Sequence, residues 1–183
     1  MRKKPIVIEF TGPPNSGKTT IIKMLHELLI SMGYSVDVMQ EDAELVPKCI
    51  PKKTWIRNVW ITNGQLQSLL ETKYSESDVI FLDRGFYDAI FWANFLQIQG
   101  IASIQESSSL LRILKEMDMQ FDLKPDYVFF ITVSTEESLR RHALQSQKPA
   151  ILSTSSFLDL YNAELDKFYP TVSTPIFKMD STS

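Results

Sequence analysis

The sequence lacks several features that would point to particular classes of protein. Cys49 is the only cysteine among 183 residues, which excludes an intrachain disulfide and a thiol metal cluster and favours a reducing cytoplasm. No apolar run approaches the about 18–20 residues needed to span a membrane. The net charge is −3, so no excess of basic residues marks a surface for a polyanion. Nucleic acid is therefore not an expected partner.

The composition is otherwise that of an ordinary globular chain. Hydrophobic residues make up 44% and charged residues 22%, and the length predicts one domain with a substantial core. Arg2-Lys3-Lys4 followed by an apolar stretch begins like a signal peptide. Because Glu9 interrupts that stretch at once, we do not interpret it as a leader. No internal repeat or long linker is evident.

One motif near the N-terminus carries most of the functional information. Residues 12–19 read Gly-Pro-Pro-Asn-Ser-Gly-Lys-Thr, a complete G-x-x-x-x-G-K-[ST] phosphate-binding loop. An apolar strand is predicted at 6–10 and an amphipathic helix at 19–32, an arrangement that aims backbone N–H groups and a helix N-terminus at a polyphosphate. Lys18 would approach the β- and γ-phosphates, and the Thr19 hydroxyl could bind Mg²⁺.

The loop has an unusual entry but keeps its binding groups. Gly12 and Gly17 allow backbone angles that a side chain would forbid. Pro13 and Pro14 have no N–H to donate and would stiffen the entry. We predict nucleotide binding by Gly12, Asn15, Ser16, Gly17, Lys18, Thr19 and Thr20.

Strand and helix patterns alternate along the rest of the chain. Further strands are predicted at 34–39, 78–83, 126–133 and 175–179, and further helices at 55–73, 86–99, about 109–119, 135–144 and 156–169. Ser134, with Glu137 three residues on, predicts an N-cap for the helix at 135. This order predicts an α/β fold, a single P-loop NTPase-type domain whose five-stranded parallel sheet carries helices on both faces.

Ligands of such sheets bind at the carboxyl ends of the strands, and two of these ends carry acidic residues. Asp83 closes the strand at 78–83, where an acid is typical of the Mg²⁺ partner in phosphate-loop enzymes. Arg84 would place a permanent charge near a transferring phosphoryl group, unless the two form a plain surface pair. Glu41 follows the strand at 34–39, where it is either a base for an attacking hydroxyl or a surface carboxylate.

Together these features resemble the deoxynucleoside kinase and thymidylate kinase group of phosphate-loop enzymes. The counterparts of the family pattern are Glu41 with Trp55, Gln65 five residues before Leu70, and the Asp83-Arg84-Gly85 triplet. The resemblance implies ATP- and Mg²⁺-dependent transfer of the γ-phosphoryl group to a (deoxy)nucleoside hydroxyl. It makes Glu41 the general base and lets Gln65 pair with the edge of a nucleobase.

The resemblance also implies a set of site residues. The catalytic set is Lys18, Glu41, Asp83 and Arg84, and the metal would be held by Thr19 and Asp83. The acceptor would contact Glu41, Trp55, Gln65, Arg84 and Asp88. Arg141 would bind the nucleotide from a lid at about 141–154. The aromatic residues that could form walls for a base, or equally be plain core, are Trp55, Trp60, Phe86 and Phe91.

The chain departs from the family pattern in the lid and at two strand ends. The next two cations expected in the lid fall on Gln145 and Gln147. Losing such a donor to a phosphoryl transition state can cost several kcal/mol, for which Lys148 or Arg140 could compensate. The family's proline and serine at the two strand ends are replaced by Asp42 and Gly85.

Other functions stay open. A nucleoside monophosphate kinase would need further cations, for which Arg57 and Lys73 are candidates, and the scaffold also accepts other small molecules. A protein of a different class would be an ATP-binding regulator with little turnover. A guanine-nucleotide switch is disfavoured, because no Asn/Thr-Lys-x-Asp motif follows the fourth strand. His26 and His142 are predicted to be structural. The helices at 55–73 and 86–99 form either a homodimer face or core.

Overall fold

The computed structural model describes residues 4–40, 43, 45–145 and 154–182. Its strands are β1 (Ile6–Thr11), β2 (Val36–Met39), β3 (Val79–Asp83), β4 (Tyr127–Thr132) and β5 (Ile176–Asp180). They form one parallel sheet in the order β2-β3-β1-β4-β5. The predicted fold class is confirmed, whereas Glu41, Asp42 and the lid from 146 to 153 lie outside the described residues.

In the residues that the structure describes, six α-helices connect the strands, because parallel neighbours need long crossovers. They are α1 (Lys18–Ser31), α2 (Trp55–Glu71), α3 (Phe86–Ile98), α4 (Ile104–Phe121), α5 (Thr135–Gln145) and α6 (Ser155–Phe168). In the described part of the chain, none of these helices combines the length and apolar character needed to cross a membrane. Cys49 is exposed in the connection between β2 and α2.

The sheet carries a separate apolar cluster on each face. On one face Ile22 of α1 packs with Phe10, Phe81 and Ile131. The larger cluster on the other face joins β1, β3 and β4 to α2, α3, α4 and α6. Since side chains alternate along a strand, β1 turns Phe10 to the smaller cluster and both Val7 and Glu9 to the larger one. A carboxyl group therefore faces the main core.

Helix α4 begins five residues earlier than the predicted start at 109. Ser103 and Glu106 form a capping box, in which the Ser103 hydroxyl accepts from the Glu106 amide at 3.2 Å and the Glu106 carboxylate accepts from the Ser103 amide at 2.8 Å. The first turns carry the polar residues 105–109. Apolar periodicity consequently starts only at Leu110, which explains the late prediction.

The predicted cap of α5 is present. The Ser134 hydroxyl accepts from the Glu137 amide at 3.2 Å. The Glu137 carboxylate instead pairs with Arg140 and Arg141, so one of the two bonds of a capping box forms.

Candidate active site

The phosphate loop follows β1 in a conformation that its glycines permit. Gly12 has a φ of 148°, and a Cβ there would lie 2.0 Å from the Ile131 carbonyl oxygen. No side chain fits at that distance, so glycine is required where the loop passes β4. Asn15 and Gly17 are left-handed, with φ of 58° and 86°, which bends the chain into the start of α1.

Every carbonyl oxygen from residue 12 to residue 16 accepts a hydrogen bond from a side chain. Lys18, from the loop itself, donates to Gly12 and Pro13. The other donors, which we call the loop anchors, lie in α5, in α6 and just after β5: Ser138 to Pro14 at 2.9 Å, Arg141 to Asn15 at 3.2 Å, Tyr161 to Gly12 at 3.3 Å and Ser181 to Ser16 at 2.8 Å. The loop anchors therefore fix the peptide groups of the phosphate loop from other parts of the fold.

The Lys18 ammonium lies inside the loop and is buried. It donates to the carbonyl oxygens of Gly12 and Pro13 at 3.0 and 2.9 Å, and to the Ser16 hydroxyl at 3.3 Å. Phosphate oxygens would compete with these carbonyls for the ammonium protons. The positive charge is therefore already located where a polyphosphate would bind.

Thr19 and Asp83 come together at the carboxyl end of β3. The Thr19 hydroxyl donates to Asp83 Oδ2 at 2.7 Å. Adjacent oxygen ligands of an octahedral Mg²⁺ at 2.0–2.1 Å lie about 2.9 Å apart. The two oxygens therefore fit neighbouring positions around this ion.

Asp88 joins the groups that the sequence assigned to the acceptor. Its Oδ1 accepts from the Thr11 hydroxyl at 2.9 Å and from Arg84 Nη1 at 2.8 Å, and its Oδ2 accepts from Gln65 Nε2 at 3.3 Å. Asp88 is 1% exposed. We call Thr11, Gln65, Arg84 and Asp88 the Asp88 cluster; the sequence predicted three of its members and missed Thr11.

Arg84 is fixed by its backbone as well as its side chain. Its φ of 72° is in the left-handed region, and its amide donates to the Phe10 carbonyl at 3.0 Å. The guanidinium carbon lies 6.0 Å from the centroid of the Trp92 ring, a cation–π distance. Trp92, which was not among the predicted site residues, thus lies beside this guanidinium.

Tyr161 connects the loop to the Asp88 cluster. Its hydroxyl donates to the Gly12 carbonyl and also bonds with Arg84. Burial raises the pKa of Tyr161, so the hydroxyl keeps its proton and remains a donor. The two halves of the candidate site are therefore in direct contact through this side chain.

The other predicted aromatic residues lie apart from the loop or in the core. Trp55 lines a groove between α2 and α4 with Leu110 and Ile113. Phe86 and Phe91 are both 3% exposed in the larger cluster, which is the alternative we left open for them. Trp60 is half-buried on α2.

The described start of the lid places one arginine at the loop. Arg141 donates to Glu137 at 2.7 Å, to Asn15 and to Ser181. Arg140 pairs with the same Glu137, and these two arginines lower the pKa of that carboxylate to about 2. Lys148 and Gln147 lie outside the described residues, as does the side chain of Gln145.

The prediction that Lys73 could supply a cation for the acceptor was wrong. Its ammonium bonds to the Asp122 carbonyl, and Asp122 also pairs with Lys4 just before β1. This is the amino end of the strands, opposite the phosphate loop.

The remaining residues named from the sequence lie as follows. Arg57 donates to the Ala43 carbonyl at 2.8 Å. Thr20 is exposed on the first turn of α1, and both histidines are half-buried in helices.

Comparisons with known proteins identify the family. The sequence profile of the family described as AAA domain matches residues 7–151, and the chain belongs to that family. A probable thymidylate kinase of Sulfurisphaera tokodaii is 26% identical over 145 residues, which is 75% of this chain and 68% of that protein. A deoxyadenosine kinase of Lactobacillus acidophilus is 23% identical over 171 residues, covering 89% and 77% of the two chains.

Solved structures share the fold over nearly the whole chain. Deoxyadenosine kinase from M. mycoides with dCMP and dCDP bound has a TM-score of 0.76 at 18% identity, over 96% of this chain and 90% of that one. The dATP complex of the same enzyme gives 0.74 at 19%, over 96% and 91%. The resemblance to P-loop deoxynucleoside and thymidylate kinases is confirmed, and the chain is a nucleotide-binding phosphotransferase.

Proposed function

We propose that the chain transfers the γ-phosphoryl group of ATP, with Mg²⁺, to a hydroxyl of a deoxynucleoside. The observation that carries this proposal is the Asp88 carboxylate, which joins Thr11 at the loop entry to Arg84 and Gln65. Groups suited to an acceptor thus adjoin groups suited to a triphosphate. The two named deoxyadenosine kinases support a nucleoside as the acceptor.

On the donor side, the amides of residues 15–19 would bind the phosphate oxygens. Lys18 would exchange its loop carbonyls for the β- and γ-phosphates. Thr19 and Asp83 would hold the metal, with Asp83 bound directly or through water, and the bound ion would neutralise charge on the phosphates. Arg141 is bonded to the Asn15 carbonyl of the loop and would contact the same phosphates from there.

On the acceptor side, the Gln65 amide would pair with the edge of the base, using its donor and acceptor together. Arg84 lies between Asp88 and Trp92 and would stabilise the charge on the phosphoryl group during transfer. We assign Glu41 as the base that takes the proton of the sugar hydroxyl. Gln65 and Arg84 are buried and bonded to Asp88, so these two side chains would need little rearrangement as the reaction proceeds.

The test is ATP consumption by the purified protein with Mg²⁺ and a panel of deoxynucleosides and nucleoside monophosphates. We expect turnover of a deoxynucleoside, reduced about 10²- to 10⁴-fold in Glu41→Gln, the usual contribution of a general base. Asp42→Asn is the matched control, since it removes the neighbouring carboxylate, and it should keep the wild-type rate.

Two other results would change the assignment. Turnover of a monophosphate that survives Glu41→Gln would favour a thymidylate-kinase-like activity, in line with the relative of that name. Tight ATP binding without turnover of any acceptor would contradict the nucleoside kinase and favour either another small-molecule acceptor or a regulatory role.

A further inference from the structure

Glu9 lies in the middle of the apolar strand β1 and is completely buried. Its sheet neighbours are Leu82 on β3 and Val128 on β4, and its side chain faces the larger cluster. A buried carboxyl group costs several kcal/mol unless hydrogen bonds compensate. None of the donor and acceptor roles described above uses Glu9, so its own partners indicate its purpose.

Both carboxyl oxygens of Glu9 accept from the first turn of α3. Oε2 accepts from the Tyr87 amide at 3.1 Å and Oε1 from the Asp88 amide at 2.8 Å. The first amides of a helix have no partner within the helix. The N-cap residue Gly85 has no side chain to supply this bond. A strand residue therefore caps the helix from beneath.

Gly85 leaves room for this contact. A Cβ at residue 85 would lie 3.1 Å from the Glu9 carboxyl carbon and from Oε2, and 3.0 Å from Leu82 Cδ1. Its φ of −169° is extended backbone that any residue adopts. The limited space beside Glu9 and Leu82 therefore favours glycine at this position.

The capped turn carries Asp88. Glu9 binds the Asp88 backbone, and the Asp88 side chain binds Thr11, Arg84 and Gln65. A shift of the turn would therefore move three acceptor-side groups together. A 1 Å misplacement of such groups can reduce a rate about 100-fold.

We propose that Glu9 is a positioning residue, which fixes Asp88 through the first turn of α3 so that Arg84 and Gln65 are held for the acceptor. This inference rests on the proposed function. The competing view is a cap that contributes to stability alone.

The kinetic test compares Glu9→Gln and Glu9→Ala with Val7→Ala. Val7 lies on the same strand and the same face and is 5% exposed, so its truncation matches the packing loss without touching α3's cap. We expect the acceptor kcat/KM to fall about 100-fold in Glu9→Ala, and less in Glu9→Gln, which keeps one acceptor oxygen. ATP affinity should be unchanged. A Glu9→Ala protein that loses thermal stability like Val7→Ala but keeps its kcat/KM would overturn the proposal.

A second measurement needs no acceptor. Amide hydrogen exchange at Tyr87 and Asp88 reports the cap, and the ¹⁵N signals of the Arg84 guanidinium report whether Asp88 still holds it. We expect faster exchange and a freely rotating guanidinium in Glu9→Ala but not in Val7→Ala. If these signals respond while the wild type turns over no nucleoside, the proposed function fails and the positioning role stands. Unchanged Arg84 signals in Glu9→Ala would refute the positioning role.

Discussion

Four side chains, from α5, α6 and the segment after β5, hold the phosphate loop, whereas one carboxylate binds three acceptor-side groups. Each loop anchor binds a different carbonyl, so losing one leaves three in place. Asp88 binds Thr11, Gln65 and Arg84 together, so losing it removes one bond from each of the three at once. We therefore expect single substitutions to have small effects on the donor side and large effects on the acceptor side.

The largest effect is expected from Asp88→Ala. It leaves the Arg84 guanidinium buried without its carboxylate, which typically costs about 3–5 kcal/mol of unfolding free energy. Asp166→Ala is a suitable control because it breaks the exposed pair with Lys178, worth about 0–1 kcal/mol. Urea unfolding of both variants measures the difference. Equal losses of unfolding free energy in the two variants would show that Asp88 does not hold the acceptor-side groups as described.

An intermediate effect on the free energy of unfolding is expected from pH, through the titration of Glu9. Burial raises the pKa of Glu9 from 4.5 to about 8, although the Tyr87 and Asp88 amides act in the opposite direction. The folded protein therefore holds this proton more tightly than the unfolded chain. The resulting stabilisation is complete below pH 4.5 and is lost as the pH rises to about 8.

Unfolding free energies measured between pH 5 and 8 should thus fall with a slope of up to about 1.4 kcal/mol per pH unit. Glu9→Gln cannot ionise and should flatten the curve. A slope that persists unchanged in Glu9→Gln would assign the titration to another group.

The smallest effects are expected at the loop anchors. Ser138→Ala removes one neutral hydrogen bond, worth about 1 kcal/mol, or roughly fivefold in the Kd for ATP. Ser181→Ala also removes the oxygen that accepts from Arg141, so its effect should be somewhat larger. The double variant should show about the sum, because the two hydroxyls bind different carbonyls. Titration calorimetry with ATP checks this. A single loop-anchor variant that abolished ATP binding would contradict the view that the four anchors hold the phosphate loop independently.

The donor half was predictable from sequence only where its parts are close together in the chain. The phosphate loop is eight consecutive residues, and Asp83 follows a clear apolar strand. Three of the loop anchors could not be found this way, because Ser138, Tyr161 and Ser181 lie 124, 149 and 165 residues from the carbonyls that they bind. A serine hydroxyl or a core tyrosine at such a distance leaves no local pattern.

The acceptor half shows the limits of periodicity. Arg84 was identified at a strand end, and Gln65 and Asp88 through a family resemblance, whereas Glu9 was noted only as a polar residue that interrupts an apolar stretch. Helical spacing also cannot tell which edge of the sheet a residue will reach, which is why Lys73 was misassigned. The start of α4 was missed for a different reason, since the Ser103–Glu106 capping box was present in the sequence and was overlooked.

Cys49 offers a labelling position for observing the acceptor side separately from the donor side. It is the only thiol in the sequence and is exposed between β2 and α2, six residues before Trp55 and on the segment that leads from Glu41 to Gln65. A maleimide dye would label this one position without any engineering. Fluorescence from that label could time the ordering of the acceptor side after mixing with a nucleoside, separately from the arrival of ATP at the loop.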